Sequence, residues 1–522
     1  MSDRPNILYI ITDQHRADWL GCAGHPVVKT PNIDKLAERG TRFTQFHVTT
    51  PVCMPNRGAI FTGRYPSVNG LRHNGLPLPA DANTFVDILR DAGYRTAAIG
   101  KSHLQPFGHT PAVRADEERV ANDHFPEAKK SDGADYAHEH PSNYETGEMF
   151  EFPKPYYGFD HVRVVTHHSD QCGGHYLQWL RSKSNNWACY RDRNNQLPHD
   201  YTVPQAYRMK TPEELYPTSY IKEEAKAYLA EQKDSEDPFF AFVSFPDPHH
   251  PFTPPGKYWD MYDPEDFDVD LPYEAHKNPP PQLARWKELM DQGEVPKNEQ
   301  QSFMASTQQV KEAMALTAGM TTMIDDAVGE ILESLEAAGK LDNTIIIFNS
   351  DHGDYMGAFN LLLKGPFAHD SVNRVPFIWV DPTQEGGKTA DDLAASVDIA
   401  PTILERCGLT PYYGIQGRSF LNQIKGGEGA RDFVLIEHEE NKVYPGLDKR
   451  PNMRHLVTDT HRMTVYKDLD MGELYDREAD PNETKNLWDC PESVAAKSSM
   501  MFTLSQAMLD AIERGPWPKH FA

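Results

Sequence analysis

The sequence predicts an α/β sandwich with a central, mostly parallel sheet, followed by a smaller carboxyl-terminal domain with an antiparallel sheet and a helix. Four short apolar runs alternate with helical patterns, and each run is hydrophobic on both faces, as buried strands of parallel sheets are. Beyond about residue 425 the chain changes to short runs of alternating polarity and ends in a helical pattern. These two observations define the predicted fold class.

Each of the four apolar runs is followed at once by polar side chains that suit a binding site. NILYIIT precedes Asp13 and Gln14, TAAIG precedes Lys101 and His103, FFAFVSF precedes His249, and TIIIFNS precedes Asp351 and His352. In open parallel sheets, ligands bind beyond the carboxyl ends of the strands. We therefore expect these side chains to meet at one edge of the sheet.

Helical patterns with clear stop signals lie between the apolar runs. One pattern has Pro31 in its first turn and ends at Gly40, and a long one from about residue 310 to 338 ends at Gly339. Because strands and helices alternate in this way, we expect helices on both faces of the sheet.

Length and charge limit the classes of function. The chain of 522 residues is too long for a single core, and we expect domains at residues 1–425 and 426–522. Its 52 Lys and Arg residues against 77 Asp and Glu residues give a formal net charge of −25. Such a surface repels nucleic acids and anionic membranes, so we expect neither as a partner. A small anionic substrate requires local cations or a metal inside a pocket.

The cysteines and the amino-terminal segment indicate the cellular compartment. The six cysteines are widely spaced and lack a CxxC pair, so they form neither a disulfide framework nor a zinc-ribbon pattern. The first apolar run is short and is followed by an aspartate, unlike a signal peptide, and no run approaches membrane-spanning length. We expect a cytoplasmic protein with reduced thiols.

Two stretches do not follow the alternating pattern. Residues 110–217 are polar, aromatic and rich in histidine, without a clear period. We interpret them as a solvated insertion whose histidines are incidental, because the helical HExxH spacing is absent; metal binding by the HEH and HH pairs is the alternative. Residues 262–300 are rich in Pro, Asp and Glu, which predicts an extended surface segment.

The stretch PVCMPNRGAIFTGR at residues 51–64 places Cys53 at the amino end of a predicted helix, with Pro55 in its first turn. Free backbone N–H groups and the helix dipole favour an anion there, and Arg57 lies one turn further on. Cysteine phosphatases have five residues between Cys and Arg, whereas three intervene here. A nucleophilic cysteine and a buried structural cysteine both fit this stretch alone.

Taken together, the motifs resemble the sulfatase family of the alkaline phosphatase superfamily, close to its phosphonate monoester hydrolases. CxPxR followed by TGR, then GKSH, PHHPF, SDHGD, DIAPTIL with GRSF, and ELYDREADPNETKNL occur in the order in which sulfatases carry similar motifs. The resemblance covers nearly the whole chain. It implies an alkaline-phosphatase-like main domain, a small carboxyl-terminal domain and arylsulfatase-like hydrolysis of sulfate monoesters.

The resemblance also implies a modified nucleophile and a metal. A formylglycine-generating enzyme is expected to oxidise Cys53 to Cα-formylglycine, whose hydrated aldehyde attacks sulfur. Asp13 and Asp351 match the family's metal carboxylates, and His352 stands where members have asparagine or histidine. Gln14 departs from the usual second aspartate, which removes one negative charge. We therefore expect these four residues and residue 53 to bind one divalent cation, Ca²⁺ or Mn²⁺.

Further residues match the family's substrate-binding groups. Lys101 and Lys364 match the lysines that bind non-bridging sulfate oxygens. His249 resembles the general acid for the leaving alkoxide, with His250 as an alternative. Asn74, in RHNG, is expected to donate a further hydrogen bond to the substrate.

The resemblance assigns the remaining two catalytic residues. Arg57 matches the arginine that orients the diol. His103 resembles the residue that deprotonates the second hydroxyl of the diol, so that sulfate leaves by carbon–oxygen cleavage and the aldehyde is restored. A serine or cysteine ester lacks this exit, which is the physical reason for a diol.

Two alternatives remain open at the level of the sequence. The first is a phosphonate monoester or phosphodiester hydrolase with the same nucleophile, and the second is an anion-binding protein of the same fold in which Cys53 is not converted. Lys101 and His103 favour sulfate monoesters, because phosphonate monoester hydrolases carry neutral hydroxyl side chains at these positions. We also expect a homo-oligomer, a dimer or tetramer, from the long insertion, the aromatic tail GPWPKHFA and similar enzymes.

Overall fold

The computed structural model describes residues 4–108, 124, 127–294 and 300–520 of the chain. Its strands are β1 (Asn6–Thr12), β2 (Thr41–Phe43), β3 (Phe46–His47), β4 (Arg95–Gly100), β5 (His161–Thr166), β6 (Gly173–Gly174), β7 (Phe239–Ser244), β8 (Phe303–Met304), β9 (Thr344–Ser350), β10 (Leu361–Leu362), β11 (Phe377–Val380), β12 (Lys388–Ala390), β13 (Ala394–Ala395), β14 (Val434–Glu439), β15 (Asn452–Val457), β16 (His461–Tyr466) and β17 (Gly472–Asp476). Nine of them form one large sheet.

The large sheet has the order β12-β2-β11-β9-β1-β7-β4-β5-β6. The four predicted strands β9, β1, β7 and β4 are its consecutive central strands, and they run parallel to one another. Strand β5 continues the parallel set beside β4, whereas β11 and β6 pair antiparallel with their neighbours. The predicted, mostly parallel central sheet is therefore confirmed.

The helices are α1 (Pro31–Arg39), α2 (Cys53–Thr62), α3 (Pro66–Asn69), α4 (Phe85–Asp91), α5 (His175–Lys183), α6 (Trp187–Arg191), α7 (Pro217–Glu231), α8 (Pro281–Asp291), α9 (Thr307–Ala337), α10 (Asp370–Asn373), α11 (Ile399–Arg406), α12 (Leu421–Ile424) and α13 (Val494–Asp510). The long helix α9 begins with a capping box formed by Ser306 and Gln309, which satisfies two backbone N–H groups that the helix start leaves unpaired. None of the helices in the described part of the chain is long and apolar enough to cross a membrane.

Helices cover both faces of the large sheet. Along β1, Ile7, Tyr9 and Ile11 point into one hydrophobic cluster, and Leu8 and Ile10 point into another. Helices α2, α4 and α11 contribute to the first cluster, and α1, α7 and α9 contribute to the second. This alternation buries both faces of the strands, as the apolar runs predict.

The carboxyl-terminal part forms the predicted antiparallel sheet with one helix. Strands β14, β15, β16 and β17 pair in that order, each antiparallel to the next. Helix α13 buries Met500, Leu504 and Ala507, which join the first hydrophobic cluster of the large sheet. The boundary at residue 425 stays a prediction.

The expectation of an extended segment at residues 262–300 is wrong for its middle part. Helix α8 lies there, preceded by Pro280 and begun by Pro281, and it buries Leu283 and Trp286. A helix start tolerates proline because its first N–H groups have no partner within the helix. The high proline content of this segment therefore marks a helix start. Residues 295–299 lie outside the described residues.

The expectation of a solvated insertion at residues 110–217 is also wrong for much of that stretch. Residues 110–123, 125 and 126 lie outside the described residues. The described remainder contains β5, which extends the large sheet, and α5, which buries His175, Tyr176, Gln178 and Leu180. Part of this stretch therefore belongs to the core.

Candidate active site

The carboxyl ends of β1 and β9 bring together three side chains that can hold a metal ion. Asp13 follows β1, Asp351 and His352 follow β9, and their ligand atoms all lie within 4.8 Å of one another. Nε2 of His352 lies 3.3 Å from Oδ1 of Asp13 and 3.6 Å from Oδ1 of Asp351. All three side chains are fully buried, so the cluster is shielded from bulk water.

The electrostatics of this cluster fit a divalent cation. Oδ1 of Asp13 and Nε2 of His352 have no hydrogen bond of good geometry to a described residue, although buried polar atoms are normally satisfied. Burial lowers the pKa of His352, but the carboxylates of Asp351 and Asp13 outweigh it and raise that pKa to about 9. The cluster thus stabilises positive charge between two carboxylates, as expected of a cation site.

Gln14 lies beside this cluster and links it to other polar groups. Its backbone N–H donates to Oδ1 of Asp351 (3.2 Å), and its Oε1 accepts a hydrogen bond from Lys364 (3.1 Å). Its Nε2 donates to Asp354 and lies 3.1 Å from Nδ1 of His250. The structure places Gln14 with the other predicted ligands, and ligation by Gln14 stays a prediction.

Cys53 is the first residue of α2, as the sequence predicts, and it is buried. Nδ2 of Asn74 donates to Sγ of Cys53 (3.4 Å), and Oδ1 of Asn74 accepts from the backbone N–H of Met54 (3.2 Å). The side chains of His103 and His352 also interact with this thiol. Cys53 therefore lies between the helix start and the metal cluster.

Arg57 connects α2 to four strand ends. Its Nε donates to Oδ2 of Asp351 (2.8 Å), and its Nη1 donates to Oγ of Ser244 (2.8 Å) and to the carbonyl oxygen of Lys101. Its Nη2 lies 3.7 Å from Oδ2 of Asp13. The buried guanidinium therefore compensates both carboxylates and fixes their position relative to Cys53.

The close packing of β4 and β7 positions Lys101. Gly100 ends β4 with a φ of +99°, and a Cβ there would lie 1.9 Å from the carbonyl oxygen of Ser244, so only glycine fits. The backbone N–H of Lys101 donates to that same carbonyl (3.0 Å). This contact directs the lysine side chain into the site, where its Nζ contacts Oδ2 of Asp13.

His168 is a site residue that the sequence analysis missed. Its Nε2 lies 2.6 Å from Nζ of Lys101, and its ring stacks on His249 with centroids 3.6 Å apart. Because an ammonium group can only donate, Nε2 of His168 accepts, and the neutral ring carries its proton on Nδ1. Burial and the nearby His249 and Lys101 lower the pKa of His168 well below its usual value.

The interpretation of the histidines in residues 110–217 as incidental is therefore wrong for His168. It follows β5, whose sequence is HVRVVT. Only part of the signal that identified the other four strand ends is present, because polar residues directly follow a strand that is apolar on one face. His161 and Arg163 occupy alternate positions of β5 and make it resemble a surface strand, so the strand and its polar end were not recognised from the sequence.

His249 and Lys364 form a hydrogen-bonded pair. Nζ of Lys364 donates to Nε2 of His249 (3.2 Å), and Nδ1 of His249 donates to the carbonyl oxygen of His250 (2.6 Å). Burial, His250 and Lys364 lower the pKa of His249 well below its usual value, which keeps the ring neutral. His250, the alternative acid, stacks on His249 at 4.0 Å and faces Gln14.

His103 lies beside Cys53 and interacts with its thiol. Burial lowers the pKa of His103 to about 4, so its ring is neutral near pH 7 and able to accept a proton. The ring stacks on Phe107 with centroids 4.1 Å apart. Its backbone has a φ of +54°, which a non-glycine residue adopts only when its surroundings hold it there.

Buried Glu139 supplies that support and was not predicted either. Its carboxylate accepts hydrogen bonds from the side chain of Ser102, the backbone N–H groups of His103, Leu104 and Gln105, and the hydroxyl of Tyr156. The HEH sequence that raised the alternative of metal binding thus contains a loop anchor. Nothing in its local sequence pattern identifies this role.

Comparison with known families decides the classification of this site. The family model described as Sulfatase matches residues 5–409, and the model described as N-sulphoglucosamine sulphohydrolase, C-terminal, matches residues 361–510. The chain belongs to the sulfatase family. This sulfatase is a sulfuric ester hydrolase of the alkaline phosphatase superfamily, as the motifs predict.

Individual relatives match over nearly the full length. An arylsulfatase of Clostridium perfringens is 29% identical over 94% of this chain and 91% of its own, and a ulvan-active sulfatase of Formosa agariphila is 28% identical over 97% and 81%. Among solved structures, a phosphonate monoester hydrolase of Agrobacterium radiobacter aligns with a TM-score of 0.76 at 24% identity, covering 98% of this chain and 97% of that one. This last likeness establishes the shared fold.

Proposed function

We propose that this sulfatase hydrolyses sulfate monoesters at residue 53, with Cys53 converted to formylglycine and one divalent cation, Ca²⁺ or Mn²⁺, beside it. The observation that carries the proposal is the position of Cys53. Its thiol lies at the start of α2, bonded to Asn74, and interacts with His352 of the metal cluster. The Sγ atom stands where the oxygens of a formylglycine hydrate would lie. The similarity to an arylsulfatase supports the same reaction.

Two lysines are available to neutralise a bound sulfate group. Lys101 and Lys364 lie on either side of the His168–His249 stack, each with its Nζ bonded to one of those rings. Both ammonium groups can turn toward non-bridging oxygens without becoming unpaired. Asp13, Asp351 and His352 would hold the cation, which would supply further positive charge beside the bound sulfate group. These positive charges make the pocket favourable for an anion although the protein as a whole is acidic.

Two neutral histidines can handle the protons. His103, on the Cys53 side, accepts the proton of one hydroxyl of the modified residue, which permits release of sulfate. Nε2 of His249 shares a proton with Nζ of Lys364, and this pair protonates the leaving alkoxide. The pair holds one transferable proton even though the imidazole itself is neutral.

Hydrolysis of phosphonate monoesters or phosphodiesters is the second candidate activity. Gln14 replaces a second carboxylate beside the metal cluster, which leaves the cation more electrophilic and suits a similar anionic centre. Against it, Lys101 pairs with Asp13 beside the metal cluster, where its ammonium group would meet a second organic substituent of the substrate. We expect hydrolysis of such substrates to be a side reaction.

A substrate comparison tests this proposal. We expect kcat/KM for an aryl sulfate to exceed that for phenyl phosphonate, and the ratio to fall about tenfold in Lys101→Thr, because the smaller side chain admits the second substituent. Lys257→Thr, on an exposed side chain, is the control and should leave the ratio unchanged. A ratio below one in the unaltered protein would overturn the assignment, and an unchanged ratio in Lys101→Thr would show that another group discriminates.

A further inference from the structure

One face of α13 is apolar and exposed to solvent. Val494, Met501, Phe502, Met508, Leu509 and, one residue beyond the helix end, Ile512 are between 38% and 67% exposed. Ser498 and Ser505 lie among them on the same face, and we call these eight residues the outer stripe. The opposite face of the helix is buried against the carboxyl-terminal sheet through Met500, Leu504 and Ala507.

Two further exposed aromatic side chains contact each other, and one of them follows the end of α13 in the sequence. Tyr413 and Trp517 are 50% and 65% exposed, and their rings make an edge contact with centroids 4.4 Å apart. Together with the stripe they account for eight of the eleven large hydrophobic residues exposed in the described part of the chain. At about 200 Å² per large side chain, the six apolar residues of the stripe alone expose roughly 660 Å², at the upper end of what a typical monomer leaves open and close to one partner's share of a standard interface.

The outer stripe lacks charge in a strongly acidic protein. None of its residues is charged, whereas a solvent-facing helix surface normally carries charged side chains. The nearest charged groups are occupied within the chain: Lys497 folds over the ring of Trp488 at 3.7 Å, Asp510 lies 3.5 Å from Arg418, and Glu513 pairs with Arg64. With a net charge of −25, two copies repel each other over most of their surface. Because the stripe carries no charge, two copies of the chain can approach each other there without this repulsion.

We propose that the outer stripe binds the outer stripe of a second copy of this chain, with the two α13 helices antiparallel across a two-fold axis. Six of the eight stripe residues, Val494, Ser498, Met501, Phe502, Ser505 and Leu509, are spaced symmetrically about a point between Met501 and Phe502. Antiparallel packing places Met501 opposite Phe502, Ser498 opposite Ser505 and Val494 opposite Leu509. A two-fold interface requires such self-complementarity. The smaller serines opposite each other let the helices approach closely.

The mass of the protein in solution tests the interface. Light scattering after size-exclusion chromatography should give a dimer, or a multiple of it, for the unaltered protein. Phe502→Asp should weaken the dimer about 100-fold, because it buries an unpaired charge at the centre of the interface. Leu197→Asp introduces the same charge at an exposed hydrophobic residue outside the stripe and should keep the dimer. A monomer at all concentrations, or an unchanged mass in Phe502→Asp, would overturn the proposal.

A charge-pair experiment tests the antiparallel register. In Ser498→Lys with Ser505→Glu, each new lysine faces a glutamate of the other copy, so the dimer should persist. In Ser498→Lys with Ser505→Lys, like charges face each other, and the dimer should dissociate although the net charge of the chain is reduced. Equal dimer affinities in the two double variants would exclude the antiparallel pairing. Unchanged kcat/KM and circular dichroism in both would show that folding is intact.

Discussion

The floor and the rim of the active site differ in how they are built. The floor comprises Asp13, Arg57, Lys101, Asp351 and His352, all fully buried. They follow strands β1, β4 and β9, except Arg57, which comes from α2. Ion pairs connect Arg57 to both carboxylates and Lys101 to Asp13. Adjacent parallel strands therefore fix the floor as one rigid unit.

The rim is assembled from segments that are far apart in the sequence. It comprises Asn74, His168, Asn441 and Lys442. Nδ2 of Asn441 donates to the carbonyl oxygen of Asn74 (2.9 Å), and Nζ of Lys442 donates to that of Gln300 (2.6 Å). Asn441 and Lys442 follow β14 of the carboxyl-terminal sheet, so this sheet contributes to the mouth of the site.

The difference separates chemistry from substrate choice. The floor holds the cationic side chains and the metal-binding groups that we expect every sulfate ester to need. We expect the rim to contact the leaving group, which is the part that varies between substrates. Changes to the floor should therefore affect all substrates by large factors. Changes to the rim should affect them by small and unequal factors, except at His168, which contacts Lys101 of the floor.

Removing a floor carboxylate should have the largest effect. In Asp351→Asn, the cluster loses a negative ligand and Arg57 loses the closer of its two ion-pair partners, so we expect a loss of about 10³-fold in kcat/KM together with a loss of bound metal. Elemental analysis of the purified protein measures the metal directly. Asp234→Asn, at an exposed position, serves as the control. Retention of both metal and rate would show that Asp351 is not a ligand.

His168 should have an intermediate effect, since it acts through its neighbours. His168→Ala removes the acceptor for Lys101 and the ring beneath His249, and we expect kcat to fall about 10- to 100-fold with a smaller change in KM. His168→Gln keeps an acceptor for the ammonium group and should recover part of the loss. His161→Ala, at the other end of β5, is the control. Equal rates for His168→Ala and the unaltered protein would exclude a positioning role.

The rim contact between the two parts of the chain should have the smallest effect. Asn441→Ala removes one hydrogen bond that holds the loop of Asn74, so we expect an increase of about threefold in KM with little change in kcat. Steady-state kinetics with two aryl sulfates of different size measure this effect, and the larger substrate should be affected more. A large fall in kcat for both substrates would show instead that Asn441 supports the chemical step, as the floor residues do.

The sequence predicts the floor well and the rim poorly, for a physical reason. Strands β1, β4, β7 and β9 are buried on both faces, so their runs are apolar throughout and their polar ends are conspicuous. Strand β5 lies near the sheet edge beside the two-residue β6, which lets polar residues alternate along it and conceals the end that carries His168.

Other positions depend on contacts that no local pattern encodes. Glu139 anchors the loop of His103 through backbone N–H groups, and any buried acceptor at that place would do the same. Asn441 reaches Asn74 across 367 positions of sequence. A resemblance to sulfatases identifies residues whose chemical role the family shares. Glu139 and Asn441 have supporting roles only, so the resemblance does not identify them.

The chemical state of residue 53 in active protein tests the central claim most directly. The protein should be produced together with a formylglycine-generating enzyme, and the peptide containing residues 51–57 analysed by mass spectrometry alongside aryl sulfatase activity. We expect an aldehyde or its hydrate at residue 53, with kcat proportional to the converted fraction. Full activity in a preparation whose Cys53 is entirely unmodified would contradict the formylglycine nucleophile and the mechanism built on it.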